Sequence, residues 1–481
     1  MTAVLSDTPR YWRAFAFLML ANIMNLLDVT IVNVSLPMIQ QQLGATNAQL
    51  QWISIVYVTA FACGLLPFGK LGDVLGRKPV FLIGVLGFVL ASALCGFANS
   101  IEMLIAARLL QGLAAAVMTP QVMAIANAIF PSSEKSRMFG VIGMLSSLAS
   151  VLGPFVGGLL LEWDPLALDW RSVFLINLPI GLVALIGAWL YVPHAQNDFK
   201  SAAVRHIDLI GSLLFAVFMA ALLYPLTEGA VLGWPWWIVA LLAFAVLCFI
   251  VLMRWEIRFA QRSHAALLPL SLQQNRSFWL GVGLIMSLAS VAPGYFLILT
   301  LYLQQGYQLS PLMSALTTMA FPVGVMSASY LMGRLSPQWQ SWRVVIGLSA
   351  LIIGFALMLM SHHYFKGPAQ QWLFWGPLLI AGFGMGSAII ALFQSVMASV
   401  PVADSGAASG AMQSIQQMGM ALGMAVMGQL FFHSLSIDGD YNEALTAGLL
   451  YGLCVYLVAL LVAIRFLKGK SSSDRVVEKA T

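Results

Sequence analysis

"GKLGDVLGRKP", Gly69 to Pro79, holds four charged residues in eleven positions, and apolar sequence flanks it over 49–69 and 79–98. Runs of that length are what an α-helix needs to cross roughly 30 Å of hydrocarbon. The charged stretch therefore reads as a water-exposed turn joining two membrane-crossing helices. Its glycines permit a tight turn, Asp73 can meet a helix N-terminus, and Arg77 and Lys78 can reach acidic partners or lipid phosphates.

Working outward, the same pattern fills the chain. Of 481 residues 60% are hydrophobic and 9% charged, and the mean hydropathy is +0.89. A water-soluble fold of this length could hardly carry that composition, and the period-two alternation of an outer-membrane barrel is absent. Fourteen apolar stretches are expected to span, at 12–35, 49–69, 79–98, 103–127, 136–160, 172–192, 207–227, 233–253, 277–303, 310–333, 342–361, 371–397, 405–432 and 445–467. An even number returns both termini to one side. Of the 23 Lys and Arg, Arg108 lies inside a stretch and only Arg171 and Lys366 fall in loops on the far side; all others share the side of the termini. By the positive-inside rule that side is cytoplasmic, which predicts a multi-pass protein of the cytoplasmic (inner) membrane with both termini inside.

The net charge of +5 then belongs to loops facing anionic lipid, and it argues against a nucleic-acid partner. The first stretch is too long for a signal peptide and lacks a small-residue cleavage site, so it is expected to remain as the first helix. Cys63, Cys95, Cys248 and Cys454 fall within spans without metal spacing and read as small buried hydrophobes.

Residues 109–158, shifted by 270 positions, fall on 379–428 and pair Leu109 with Leu379, Gly112 with Gly382, Pro131 with Pro401, Gly140 with Gly410, Gly153 with Gly423 and Gly158 with Gly428. The repeat implies two similar six-helix bundles, with two helices inserted between them. The expected organisation is an N-terminal bundle at 1–193, linkers and inserted helices at 194–269, a C-terminal bundle at 270–470, and a polar, disordered tail at 471–481. Parallel halves with a site between them near the midplane are a transporter architecture.

Two charges lie within the apolar stretches. Asp28 sits in "LLDVTIVNVSLP" (26–37), roughly 24 Å along the first helix, and Arg108 lies roughly 8 Å into the antiparallel fourth, so they fall at similar depth. An ionised group near the bilayer centre costs roughly 2.5–3.5 kcal/mol on insertion scales, and such groups usually accompany a substrate or proton path. A carboxylate beside a guanidinium is favoured in its charged form; separating the two favours proton uptake, which makes the pair a proton switch. An inert ion pair knitting two helices together is the bland alternative. Asn22, Asn25 and Asp28 share one helical stripe, expected to face the interior. Elsewhere the spans carry amides, among them Gln111, Gln121, Gln394, Gln413, Gln416 and Gln417.

The loop at 69–79 resembles the signature loop of the major facilitator superfamily, Gly-x-Leu-(Ala/Gly)-Asp-(Arg/Lys)-x-Gly-(Arg/Lys)-(Arg/Lys), departing at Val74. "RLLQG" (108–112) is similar to that family's fourth-helix motif associated with proton coupling, "GMLSSLASVLGPFVGG" (143–158) to its fifth-helix antiporter motif, and "LDVTIVNVSLP" to the first-helix motif of its fourteen-helix drug:proton antiporter branch. The resemblance implies an all-α fold of two six-helix bundles plus two inserted helices, fourteen in total. It also implies a conformational latch at Gly69, Asp73, Gly76, Arg77 and Lys78, and a seam at Gly143, Gly153, Pro154, Gly157 and Gly158 that holds the outer side shut. The corresponding loop of the second half keeps only Gly333 to Leu335.

These readings together predict an exporter exchanging external protons, carried by Asp28 with Arg108, for cytoplasmic lipophilic or cationic compounds by alternating access. Candidate substrate contacts are Asn25, Asp28, Tyr57, Phe61, Gln121, Tyr295, Phe393 and Gln417, with Phe296 as a further aromatic face. The alternatives are a dedicated exporter of one metabolite, or a membrane scaffold or sensor, for which long loops and soluble domains are lacking. An enzyme is not expected: no nucleophile–base set, metal cluster or cofactor loop occurs, and His362 and His363 read as a solvated pair in an outer loop. No cofactor is implied beyond the proton; the expected partners are small molecules, protons and membrane lipids, around a monomer. The two inserted helices are expected to lie beside the bundles, facing lipid.

Overall fold

The computed structural model describes residues 8–131, 133–164, 167–193, 208–229, 232–262, 270–333, 340–365, 368–401 and 405–478. Every regular element among them is helical. In chain order the spans are α1 Thr8–Leu43, α2 Asn47–Leu75, α3 Arg77–Gly96, α4 Ile101–Ile129, α5 Lys135–Trp163, α6 Asp169–Tyr191 and α7 Leu209–Glu228. They continue with α8 Trp236–Arg262, α9 Arg276–Gly306, α10 Pro311–Met332, α11 Gln340–Tyr364, α12 Trp375–Ala398, α13 Ser405–Asp438 and α14 Tyr441–Glu478. Thirteen are long and apolar enough to cross a membrane among the described residues; α5, 29 residues long, completes the expected fourteen. Fourteen successive spans bring the start of α1 and the end of α14 to one face of the bundle, here the terminal face.

Local chemistry sets the ends. Thr46 and Gln49 form a reciprocal capping box at the start of α2, Ser100 accepts from the Met103 N–H at 3.2 Å to open α4, and Ser310 with Pro311 opens α10. The stretch 69–79 is more helical than a loop: α2 runs to Leu75 and α3 starts at Arg77, so Gly76 alone makes the turn, at φ +97°, where a side chain would be strained. Arg77 donates to the Ala124 carbonyl on α4 at 2.9 Å, and Lys78 to the Trp189 and Val192 carbonyls at the end of α6, at 2.8 and 2.6 Å. These bases thus reach carbonyls of their own half, Lys78 at a helix C-terminus whose dipole favours a cation, rather than only the acids or lipid phosphates expected. The side chain of Asp73, the surroundings of Gly143 within α5, the linker 194–207, the segment 263–269 and the second-half loop 334–339 lie outside what the structure describes.

The paired glycines do the same work in both halves. A Cβ on Gly112 would strike the Tyr57 carbonyl of α2, and one on Gly382 the Phe321 carbonyl of α10. Gly153 meets Leu27 and Thr30 of α1, as Gly423 meets Ser290 of α9. The third pair crosses between halves: Gly158 lies against Pro311 and Leu312 of α10, and Gly428 against Gln51 of α2. Backbones approach this closely only where no side chain intervenes, the usual basis of helix association in lipid. The fold is two six-helix bundles related by this repeat, plus two inserted helices.

Of the inserted pair, α7 packs over the line where α2 of the first bundle meets α13 of the second, and Trp52 of α2 donates to Glu228 at its end at 2.8 Å. Next to it, α8 turns Val239, Phe244, Val246 and Phe249 outward. The lipid-facing expectation therefore describes α8, whereas α7 is a strap across the two halves. The tail expected to be disordered instead extends α14 helically to Glu478; adding residues to an existing helix avoids the nucleation cost.

Replacing Gly423 by Ala forces its methyl into the Ser290 carbonyl and is expected to cost about 1–3 kcal/mol. Gly283→Ala, with nothing within 4 Å, is expected to leave stability unchanged or slightly raised. Thermal unfolding of the two purified variants in detergent checks the difference.

Candidate functional site

Polar side chains from three spans of the first bundle, with a carbonyl and an aromatic ring from a fourth, converge on Asp28 of α1, which is fully buried. Arg108 Nη1 lies 2.5 Å from Asp28 Oδ2 and 2.6 Å from Gln111 Oε1, while Arg108 Nε donates to the Ile53 carbonyl at 3.0 Å. The other carboxylate oxygen accepts from Gln111 Nε2 at 2.8 Å and Asn177 Nδ2 at 2.9 Å. Both amides also donate to Ser92 Oγ, and Cys95 Sγ contacts Gln111. The guanidinium carbon stands 4.1 Å from the centroid of the Tyr57 ring, and the Tyr57 hydroxyl donates to Asn25, whose amide donates to Thr119 at 3.2 Å. The residues expected at similar depth thus meet, and the carboxylate is satisfied by a cation and two amides.

In front of this cluster lies a cavity of about 330 Å³ between the two halves. Tyr57, Arg108 and Asn33 face it from the first bundle, and Phe296, Met385 and Gln416 from the second. Part of its wall comes from α9, which breaks at Ser290–Val291 just ahead of Pro293, since proline cannot donate to the helical ladder. Arg108 is the only charged residue on the wall among the described residues. Asp28 is not on it; Arg108 stands between the acid and the cavity.

Of the other expected substrate contacts, Tyr57 is on the wall. Asn25 binds Tyr57 behind it, and Phe61 lies 6.4 Å from the Tyr57 ring without reaching the cavity. Gln121 donates to the Phe68 carbonyl and fastens α4 to α2. Tyr295 packs at a tilt against Phe355, ring centroids 4.9 Å apart, within the second bundle, and Phe393 and Gln417 do not line the cavity. Helical phase separates the neighbours: Phe296 and Gln416 face inward where Tyr295 and Gln417 do not. Ser92 and Asn177 were not anticipated; their signal was a lone polar residue within an apolar span at the depth of Asp28. The histidine pair is corrected: α11 continues to Tyr364, burying His362 with Nε2 2.9 Å from Thr446 Oγ1 of α14, while His363 is exposed.

At the face opposite the termini the halves are bonded. Gln304 donates to the Val34 carbonyl at 3.1 Å, Gln305 to Gln40 at 2.7 Å, and Ser310 to Glu162 at 3.0 Å. Gly157 and Gly158 sit just below, against Ile31 of α1 and the start of α10, so the seam expected at the fifth helix lies at a closed end of the cavity.

The Major Facilitator Superfamily profile matches residues 18–209 and 205–424. The chain is 36% identical over 91% of its length to a probable actinorhodin transporter of Streptomyces coelicolor, covering 76% of that protein. It is 33% identical over 85% of its length to the multidrug resistance protein Stp of Mycobacterium tuberculosis, covering 74% of it. It is 32% identical over 95% to the puromycin resistance protein pur8 of Streptomyces alboniger, covering 89%. The xylose transporter XylE of E. coli, in a partially occluded inward-open conformation, shares the fold with TM-score 0.64 and 12% identity, over 95% of this chain and 98% of that one. The chain belongs to the Major Facilitator Superfamily, in its drug-efflux branch. It is a multi-pass membrane transporter of small molecules, not an enzyme.

Deleting one member of the buried pair, by Arg108→Leu, is expected to destabilise by about 3–5 kcal/mol because the other charge is left unpaired. The double variant Asp28→Asn, Arg108→Gln is expected to recover most of that loss, read as the melting temperatures of both purified proteins.

Proposed function

We propose that this protein exports lipophilic compounds from the cytoplasm across the cytoplasmic membrane in exchange for external protons, with the terminal face cytoplasmic. The observation that carries the reading is a buried carboxylate, Asp28, held by Arg108 directly behind the cavity between the halves. Asp28 is the proton-carrying group in this scheme. Protonation removes the charge that Arg108, Gln111 and Asn177 are arranged to meet, and the cluster loosens. Val34 and Gln40 lie 6 and 12 residues further along the same helix, roughly 9 and 18 Å away. They are the groups bonded to Gln304 and Gln305 across the closed end. A change at the acid is thereby coupled to the external seal, and the glycine seams of α5 and α13 are where the halves rock.

The cationic part of the sequence expectation needed the acid on the cavity wall. The wall carries a guanidinium instead, together with aromatic, methionine and branched side chains, which supports the lipophilic part. Met and Phe walls suit substrates of varied shape.

Reconstituted liposomes test the proposal. An imposed pH difference is expected to drive a lipophilic fluorescent dye against its gradient, and Asp28→Asn is expected to abolish this while the protein still folds. Undiminished proton-driven transport by the variant would overturn the assignment of Asp28, and transport indifferent to protons would overturn exchange altogether. Cysteines placed at Gln40 and Gln305 are expected to cross-link on oxidation and stop transport, with reductant restoring it; unaffected transport in the cross-linked protein would argue against opening at that face.

A further inference from the structure

If the central cavity is the transport site, as proposed above, its wall also specifies the polarity of what it holds. Arg108 has five N–H groups. Nε–H goes to Ile53, and the two on Nη1 are aimed at Asp28 and Gln111. The two on Nη2 have no hydrogen-bond partner among the described residues, although the side chain is only 1% exposed and lines the cavity. A guanidinium edge on a cavity wall offers two further N–H donors, so it is a place where a ligand acceptor gains a charge-assisted hydrogen bond. On the opposite half Gln416 also lines the cavity, and its amide has no hydrogen bond among the described residues. Between these two polar points the surface is mostly apolar, with Val29, Phe296, Phe321, Met385, Met420 and Met424 on it. The volume of about 330 Å³ suits a compact ligand of a few fused rings.

Charge narrows the class further. A cation would face the guanidinium with the acid screened behind it, a like-charge contact that low dielectric makes expensive. An anion would compete with Asp28 for Arg108. Drawing Arg108 toward the anion would leave the buried carboxylate of Asp28 short of its cation, a cost that a neutral acceptor avoids. A neutral oxygen acceptor takes the Nη2 edge and leaves the Nη1 bond to Asp28 in place.

We infer that the cavity selects uncharged, planar aromatic compounds bearing a ketone- or quinone-type oxygen, with Arg108 Nη2 as its anchor and Gln416 contacting a second polar group from the other half. The inference rests on the cavity being the transport site but not on the proton scheme.

The test uses the full chain in lipid nanodiscs without any gradient, with empty nanodiscs subtracted. Dissociation constants are measured by intrinsic fluorescence for four three-ring probes: anthraquinone, anthracene, N-methylacridinium and anthraquinone-2-carboxylate. Anthraquinone is expected to bind tightest, by about tenfold over anthracene, the scale of one hydrogen bond to a charged group. Equal binding of anthracene, or tighter binding of the cation or the carboxylate, would overturn the inference. Arg108→Lys keeps the charge but not the planar N–H edge, and is expected to bring anthraquinone down to the level of anthracene. Should that variant fail to fold, Gln416→Leu is expected to weaken anthraquinone several-fold and leave anthracene unchanged; an equal effect on both probes would count against the assignment. A protein that prefers anthraquinone yet transports without protons loses only the exchange mechanism. One that is proton-driven yet prefers the cation loses only this inference.

Discussion

The first bundle is organised around the cost of burying Asp28 and Arg108. Removing such ions from water costs several kcal/mol each, and their attraction compensates only when the remaining donors and acceptors are met. Here the compensation comes from several helices at once: Ile53 and Tyr57 of α2, Ser92 of α3, Gln111 of α4 and Asn177 of α6. None of these can be withdrawn without leaving unmet part of a charge or an amide that bonds one. The ion pair therefore fixes the relative rotation of five helices, and with it which residues of α2 and α4 reach the cavity.

The second bundle demonstrates that the fold itself does not need this. The repeat that pairs Gly112 with Gly382 pairs Arg108 with Leu378 and Gln111 with Ala381, and both counterparts are buried apolar residues. Apolar packing over the same close glycine contacts holds that half together. Since a well-packed apolar core is often as stable as a buried ion pair or more so, the charges of the first half are not explained by stability. Their asymmetry is that of the cavity: one half carries the buried ion pair and the other supplies much of the apolar wall.

Much of this was legible in the sequence because a membrane leaves few choices. Backbone polar groups must be satisfied within each span, so about twenty apolar residues announce a helix, and the placement of Lys and Arg orders them. The meeting of Asp28 with Arg108 followed from rise per residue alone. The glycine repeat was visible as spacing, though not that its third pair joins the halves. What sequence could not resolve was phase: an error of one residue turns a side chain by about 100°, which is why Phe296 and Gln416 reach the cavity where Tyr295 and Gln417 do not. Helix ends were equally obscure, so His362 read as solvated and the tail after α14 as disordered, although both continue their helices.

In the proposed exchange, the position of Arg108 links these observations into one mechanism. Its guanidinium has two edges: Nη1 faces the acid, and Nη2 belongs to the side chain that lines the cavity. A ligand on the second edge and a proton on the acid at the first both act on one planar, delocalised cation, so neither can bind without the other's environment changing. A lysine could not do this, because a single ammonium presents no second rigid edge while bonded to the acid. The proposed coupling therefore needs no long pathway between separate sites. It follows from one side chain being shared, and its sign is set by whether the occupant prefers Arg108 neutralised by Asp28 or released from it. An uncharged occupant of the Nη2 edge is compatible with the intact pair, and in the proposed exchange proton entry and substrate retention are alternatives.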